Sequence, residues 1–208
     1  MSATLLNPAM TLKADVTALK RQRILEEASR LFFEKGYTTS TLDMLASRLD
    51  VTKPFIYSYF KSKNELLAVI CEMGITKSLT VLEEVQRQGK DPLAELRAVI
   101  AGVAETVLRV QNYVVIYQRE MKELERRDAQ RILQLRHHFD QQMVLLLKRG
   151  VESGDFRIAD PAMSSVWIGG LLSWIPLWYV PGGRRGVDDI VAQAVDAVMR
   201  LVGTASPS

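Results

Sequence analysis

Apolar residues recur at helical spacing through most of this chain, and no useful length of it alternates with period two. The pattern predicts an all-α fold of about nine helices and no sheet. Ile24, Ala28, Leu31 and Phe32 form the inner stripe of a first helix from near Thr17 to Lys35, stopped by Gly36. Leu42, Leu45, Ala46 and Leu49 make one face of a short second helix, and Ser40, three residues before Asp43, predicts its cap. Asp50 follows, one of the few non-glycine residue types that tolerate a left-handed turn. Thr52 as cap and Pro54 in the first turn predict a third helix. Ile56 and Phe60 share its buried face, leaving Lys53, Phe55, Tyr57 and Tyr59 to point elsewhere. Ser62 and Glu65 have capping-box spacing and predict a fourth helix to about Gln88, at whose start the N-terminal N–H groups, Lys61 and Lys63 would favour a phosphate.

Beyond a break at Gly89-Lys90-Asp91-Pro92, further helices are predicted to about Gln111, from about Asn112 to Arg127, and from about Ala129 to Ser153. The helix opened by Asp160-Pro161 is apolar nearly all round, with no charge between Asp160 and Arg184. Its length admits a membrane span. Its glycines, serines and Pro176 argue instead for burial in a core or an interface. A last helix from about Val187 to Val202 carries a stripe of Ile190, Val191, Ala194, Val195, Val198 and Leu201.

Charge sharpens this picture. The net charge of +3 over 208 residues is too weak to argue for nucleic acid, but residues 1–64 hold ten Lys/Arg against six Asp/Glu. The positive excess therefore lies in the segment with the paired short helices, where it would attract phosphates. The lone Cys71 excludes an intramolecular disulfide and a cysteine-rich zinc site; it reads as a small buried hydrophobe, with a redox-sensing thiol as the alternative. His137 and His138 are adjacent on one helix and do not suit a metal. No Gly-rich phosphate loop, metal-ligand spacing or nucleophile–base set is present, so no enzyme activity, catalytic residue, metal or cofactor is expected. No signal-peptide pattern opens the chain, which predicts a cytoplasmic protein.

The run EKGYTTSTLDMLASRLDVTKPFIYSYFKSKNELL resembles the DNA-binding domain of the tetracycline-repressor (TetR) family. Gly36, Ala46, Val51-Thr52-Lys53, Tyr57-x-Tyr59-Phe60 and Ser62-Lys63-x-Glu65-Leu66-Leu67 carry the likeness. Asp50 stands where the family usually has glycine, and Pro54-Phe55 where small residues are commoner. The resemblance implies a flexible arm (1–16), a three-helix helix-turn-helix DNA-binding domain (17–63) and a ligand-binding and dimerisation domain (64–204). Base-reading residues would come from Thr52, Lys53, Pro54, Phe55 and Tyr57. Phosphate contacts would come from Ser40, Thr41, Tyr57, Tyr59 and Lys63.

The resemblance also implies a homodimer through the last two helices, reading a palindromic operator in double-stranded DNA. A small hydrophobic effector would release it. Tyr113, Tyr117, Phe139, Met143, Trp167, Leu171 and Trp174 are the candidates for the lining of its pocket. The ending Trp174-x-x-x-Trp178-Tyr179-x-Pro181-Gly182-Gly183 is similar to that of members responding to acyl-CoA thioesters, with Arg109, Arg119, Lys122, Arg184 or Arg185 as phosphate partners. An apolar aromatic compound is the rival effector. The competing reading of the whole chain is a helical membrane-associated or adaptor protein without specific DNA binding.

Overall fold

The computed structural model describes residues 8–203. These form nine α-helices and one 3₁₀ turn, with no strand among the described residues. The expected arm lies outside the described residues as far as residue 7. From Pro8 the chain is already helical, and α1 (Pro8–Lys35) begins nine residues before the expected Thr17. The chain divides into two compact units after Ile70.

The first unit holds α1, α2 (Leu42–Leu49), α3 (Lys53–Tyr57) and the start of α4 (Lys63–Gln86). Ile24, Leu25, Leu31, Leu45, Ile56 and Phe60 are its fully buried centre. The cap of α2 is Thr41, whose side chain accepts from the Met44 N–H at 3.2 Å. Ser40, the expected cap, is buried instead, and its hydroxyl donates to the Gly36 carbonyl at 2.6 Å. Asp50 ends α2 at φ 52, ψ 48, the only non-glycine with positive φ among the described residues. Its N–H and that of Val51 bond back to Ser47 and Ala46, the double closure of a Schellman turn. Asp50→Val should therefore lower stability by about 2 kcal/mol, while Asp50→Gly should stay within about 1 kcal/mol of the parent. Denaturation followed by circular dichroism reads both. Equal losses in the two variants would show that the carboxylate matters and the backbone conformation does not.

The second unit is built around α5 (Pro92–Arg109), which packs against α7 (Arg126–Glu152), α8 (Pro161–Trp178) and α9 (Val187–Leu201). Asp91 caps α5 by accepting from the Ala94 N–H at 2.8 Å. The helix expected at Asn112–Arg127 is shorter: α6 (Gln111–Glu120) gives way to a 3₁₀ turn, Met121–Glu123. Leu124 then turns inward with extended backbone and is buried, so the charged run cannot continue as one solvated helix. Two glycines permit close packing. A Cβ at Gly150 would stand 1.9 Å from a ring carbon of Phe156, and one at Gly102 2.6 Å from Val81 Cγ1. Pro176 lies inside α8, and the Gln111 amide donates to the Pro176 and Tyr179 carbonyls at that helix end, each at 2.7 Å. Among the described residues no single helix is long and apolar enough to cross a membrane.

Candidate nucleic-acid interface and internal cavity

The turn between α2 and α3 presents the side chains that the sequence assigns to DNA. Thr52 stands at the N-cap of α3, exposed, and its side chain makes no capping bond, which leaves the hydroxyl for another partner. Pro54 and Tyr57 are exposed, Tyr57 by 48%. Phe55 and Tyr59 are half-buried, with ring centroids 5.2 Å apart, and the Lys20 ammonium lies 6.0 Å from the Phe55 ring. This leaves the outer face of α3 to Thr52, Lys53, Pro54 and Tyr57. The Thr41 hydroxyl accepts within its cap and still has a proton to donate.

Two assignments change. Ser40 is 1% exposed, and its hydroxyl is committed to main-chain carbonyls, so its side chain does not reach a phosphate. Lys63 does not project outward. Its ammonium donates to the Tyr37 and Ser40 carbonyls at 2.6 and 2.7 Å and lies 4.1 Å from the centre of the Tyr37 ring. It clamps the start of α4 onto the turn before α2. Two of its three N–H donors are spent there, so at most one remains for a phosphate. Nothing in the local sequence marks this, because the accepting carbonyls lie more than twenty residues earlier. Lys61 is the exposed cation at the same helix start. The Glu65 N–H donates to the Ser62 hydroxyl at 3.0 Å, as in a capping box, while the Glu65 carboxylate accepts from the Lys61 N–H, one residue before the cap, at 2.5 Å.

Lys53 is tied to Asp43 of α2 at 2.8 Å, and that hydrogen bond raises the lysine pKa above its ordinary value. Both side chains are well exposed, so the pair holds Lys53 loosely. Asp43→Asn removes a negative charge from the same face and frees the ammonium for phosphate. The expected result is severalfold tighter DNA binding and a log–log salt slope steeper by about 1. Fluorescence anisotropy at several salt concentrations measures it; an unchanged slope would place Lys53 away from DNA.

The second unit contains a cavity of about 100 Å³. Cys71, Gly74, Ile75 and Ser78 of α4 form one wall, Val103 and Val107 of α5 another. Val114, Tyr117 and Gln118 come from α6, Ile132, Arg136, Phe139 and Asp140 from α7, and Gly169, Leu172 and Ser173 from α8. A Cβ at Gly169 would meet nothing within 4 Å, so that glycine helps keep the space open. Gln118 bridges two of the walls by donating to the Ser173 carbonyl at 2.8 Å. Burial, with a smaller contribution from the Glu120 charge, pushes the Cys71 thiol up to about 12. It stays protonated at neutral pH and behaves as a small apolar lining group. Burial likewise raises the Asp140 carboxyl above the usual carboxylate range, against the pull of Arg136 and His137.

Of the seven residues expected around an effector, Tyr117 and Phe139 line this cavity. Tyr113 and Met143 are buried in the packing beside it, and Leu171 is partly buried against the core. Trp167 and Trp174 are misassigned: they are 63% and 62% exposed. The reason is the all-round apolar character of α8, which hides which side faces inward; Ile168, Leu172 and Ile175 do. Sequence reasoning missed Asp140, Arg136 and Gln118, whose polar side chains gave no sign of facing a cavity. Among the basic candidates, Arg109 pairs with Glu105, and Arg184 and Arg185 line a separate groove beside Trp178 and Tyr179.

Comparison with known proteins agrees with this division. The family description "Tetracyclin repressor-like, C-terminal domain" matches residues 89–202, and "Bacterial regulatory proteins, tetR family" matches residues 24–70. The chain is 27% identical to the HTH-type transcriptional repressor KstR2 of Rhodococcus jostii (strain RHA1), over 90% of this chain and 92% of that protein. The crystal structure of PfmR, a TetR family transcriptional regulator from Thermus thermophilus, matches with a TM-score of 0.80. The two are 29% identical over 86% of this chain and 97% of that one. AibR, solved in complex with isovaleryl coenzyme A and operator DNA, matches with a TM-score of 0.75. That pair is 25% identical over 85% and 96% of the two chains. With its helix-turn-helix unit and more than half its length matched in this way, the chain belongs to the tetR family of bacterial DNA-binding transcriptional regulators.

Proposed function

We propose that this regulator is a cytoplasmic repressor that binds a palindromic operator as a homodimer and is released by a short acyl-CoA thioester. The observation that carries the effector reading is the cavity: an apolar space of about 100 Å³ with Tyr117, Gln118, Arg136 and Ser173 among its lining residues. Ligand sites have this composition, mostly apolar with a few polar groups to fix orientation. AibR, similar over most of its length, is a neighbour solved with such a thioester and with operator DNA. The size narrows the class. The small apolar space of about 100 Å³ suits a short or branched acyl chain, and its open side leaves room for the rest of a larger ligand.

The dimer reading rests on α8. Met163, Val166, Trp167, Gly170, Trp174, Leu177 and Trp178 fall along one helical stripe, and its large apolar members are exposed. An apolar patch of this extent is characteristic of an interface. A second copy related by a two-fold axis covers it with the same stripe and gives two recognition helices for two half-sites.

α4 contributes the wall residues Cys71, Gly74, Ile75 and Ser78, and the same helix begins in the DNA-binding unit at Lys63. Ligand contact with this helix is therefore the route by which occupancy biases DNA affinity. By linkage, operator weakens effector binding by the factor by which effector weakens operator binding.

The test is anisotropy of labelled DNA from the region upstream of the gene, with acyl-CoA thioesters of graded chain length and neutral aromatic compounds as competitors. Salt-sensitive, sequence-selective binding released by short thioesters supports the reading. Release by aromatics alone replaces the effector class. Absence of selective binding rejects the operator reading.

A further inference from the structure

Asp140 is the only carboxylate lining the cavity among the described residues. It is half-buried and, among the described residues, it accepts no hydrogen bond and closes no ion pair. Arg136, one turn earlier on α7, and His137 pull on it only through space. The Asp140 oxygens keep contact with water but are partly desolvated, and a ligand N–H or O–H placed against them replaces the weak remaining hydration with a direct hydrogen bond. A ligand carboxylate placed against Asp140 brings a second negative charge to a partly desolvated position, and the exposed Arg136 offsets only part of that repulsion.

Short-chain carboxylic acids and their CoA thioesters share the acyl group and differ at this point. The acid is an anion at neutral pH. The thioester is neutral at the acyl carbon and continues into a pantetheine arm with two amide N–H groups and a hydroxyl. We propose that Asp140 makes this cavity select acyl thioesters over the free acids: its carboxylate accepts a hydrogen bond from the pantetheine arm, while the acyl chain lies among Val103, Val107, Phe139 and Leu172. This inference rests on the effector class proposed above and adds the residue that discriminates within it.

The test is titration calorimetry on the full-length protein with isovaleryl-CoA, isovalerate and unacylated CoA, for the parent, Asp140→Asn and Asp140→Ala. The parent should bind isovaleryl-CoA well and isovalerate at least about a hundredfold more weakly. Asp140→Ala should lose about tenfold or more for the thioester, the usual effect of deleting a charged hydrogen-bond partner. Asp140→Asn, which keeps an acceptor and removes the charge, should retain most thioester affinity and gain about tenfold or more for isovalerate. Operator binding without ligand, unchanged in both, certifies the fold. If the parent binds the thioester and neither variant changes the thioester-to-acid ratio, the role of Asp140 is wrong and the effector class stands. If the parent binds no thioester yet binds operator, the effector class fails and this inference falls with it.

Discussion

Trp167→Asp combined with Trp174→Asp should turn the proposed homodimer into a monomer of 23.4 kDa and weaken binding to the proposed operator by about a hundredfold or more. The two indoles lie on one face of α8, each more than 60% exposed, with Val166, Leu177 and Trp178 in the same stripe. Each presents a large apolar area, and aromatic residues at the centre of an interface dominate its energetics. A carboxylate at each position would have to be desolvated against the apolar stripe of the second copy, and a two-fold interface repeats that cost on both copies. Operator affinity falls because two linked half-site contacts gain about 10² to 10⁴ over one. Sedimentation velocity reads the mass, and anisotropy on a whole and a half operator reads the consequence. The monomer should bind both DNAs equally and weakly. A variant that remains dimeric would show that α8 is not the interface and that its exposed stripe has another occupant.

The same helix shows what is legible in the sequence and what is not. Where polar and apolar positions alternate with a clear period, the structure follows the pattern: Leu42, Leu45 and Ala46 are buried in α2, and Asp50 adopts the left-handed turn expected of it. Capping residues place the starts of α5 and α8 at Pro92 and Pro161. Where the period vanishes, so does the assignment. An all-round apolar helix carries no sign of its inner face, and residue type alone points Trp167 and Trp174 inward when both are exposed. Contacts between distant residues leave no local trace either. Lys63 reads as a helix-start cation until the Tyr37 and Ser40 carbonyls are seen around it. Asp140 reads as one more polar position on a long amphipathic helix until α4, α6 and α8 are seen to border a space beside it.

Arg149→Ala should destabilise the second unit by about 3 kcal/mol, although it alters a half-exposed side chain near the end of α7. The reason is Glu95, in the first turn of α5, which is 1% exposed. Its Oε2 accepts from Arg149 Nη2 at 2.5 Å, and its Oε1 has no hydrogen-bond partner. The pair is already incompletely satisfied, so Arg149 supplies most of what makes the buried carboxylate tolerable. Removing one partner of a buried pair typically costs about 3–5 kcal/mol, because an uncompensated charge remains. Half of the Arg149 side chain is in water, which favours the lower end of that range. Removing both partners should behave differently. Glu95→Met with Arg149→Leu replaces the pair by apolar groups of similar volume, a change that is often neutral or stabilising. It forfeits only a few tenths of a kcal/mol from the acidic residue near the α5 N-terminus. Urea denaturation of Glu95→Met, Arg149→Leu and their combination forms a cycle that isolates the coupling, with Arg149→Ala measured beside it. A double variant near the parent, with Arg149→Ala far below it, would identify the pair as a local constraint and not a source of stability. If Arg149→Ala cost less than about 1 kcal/mol, Glu95 would have to find solvent or another donor by shifting the first turn of α5, and the rigidity of that turn would be disproved.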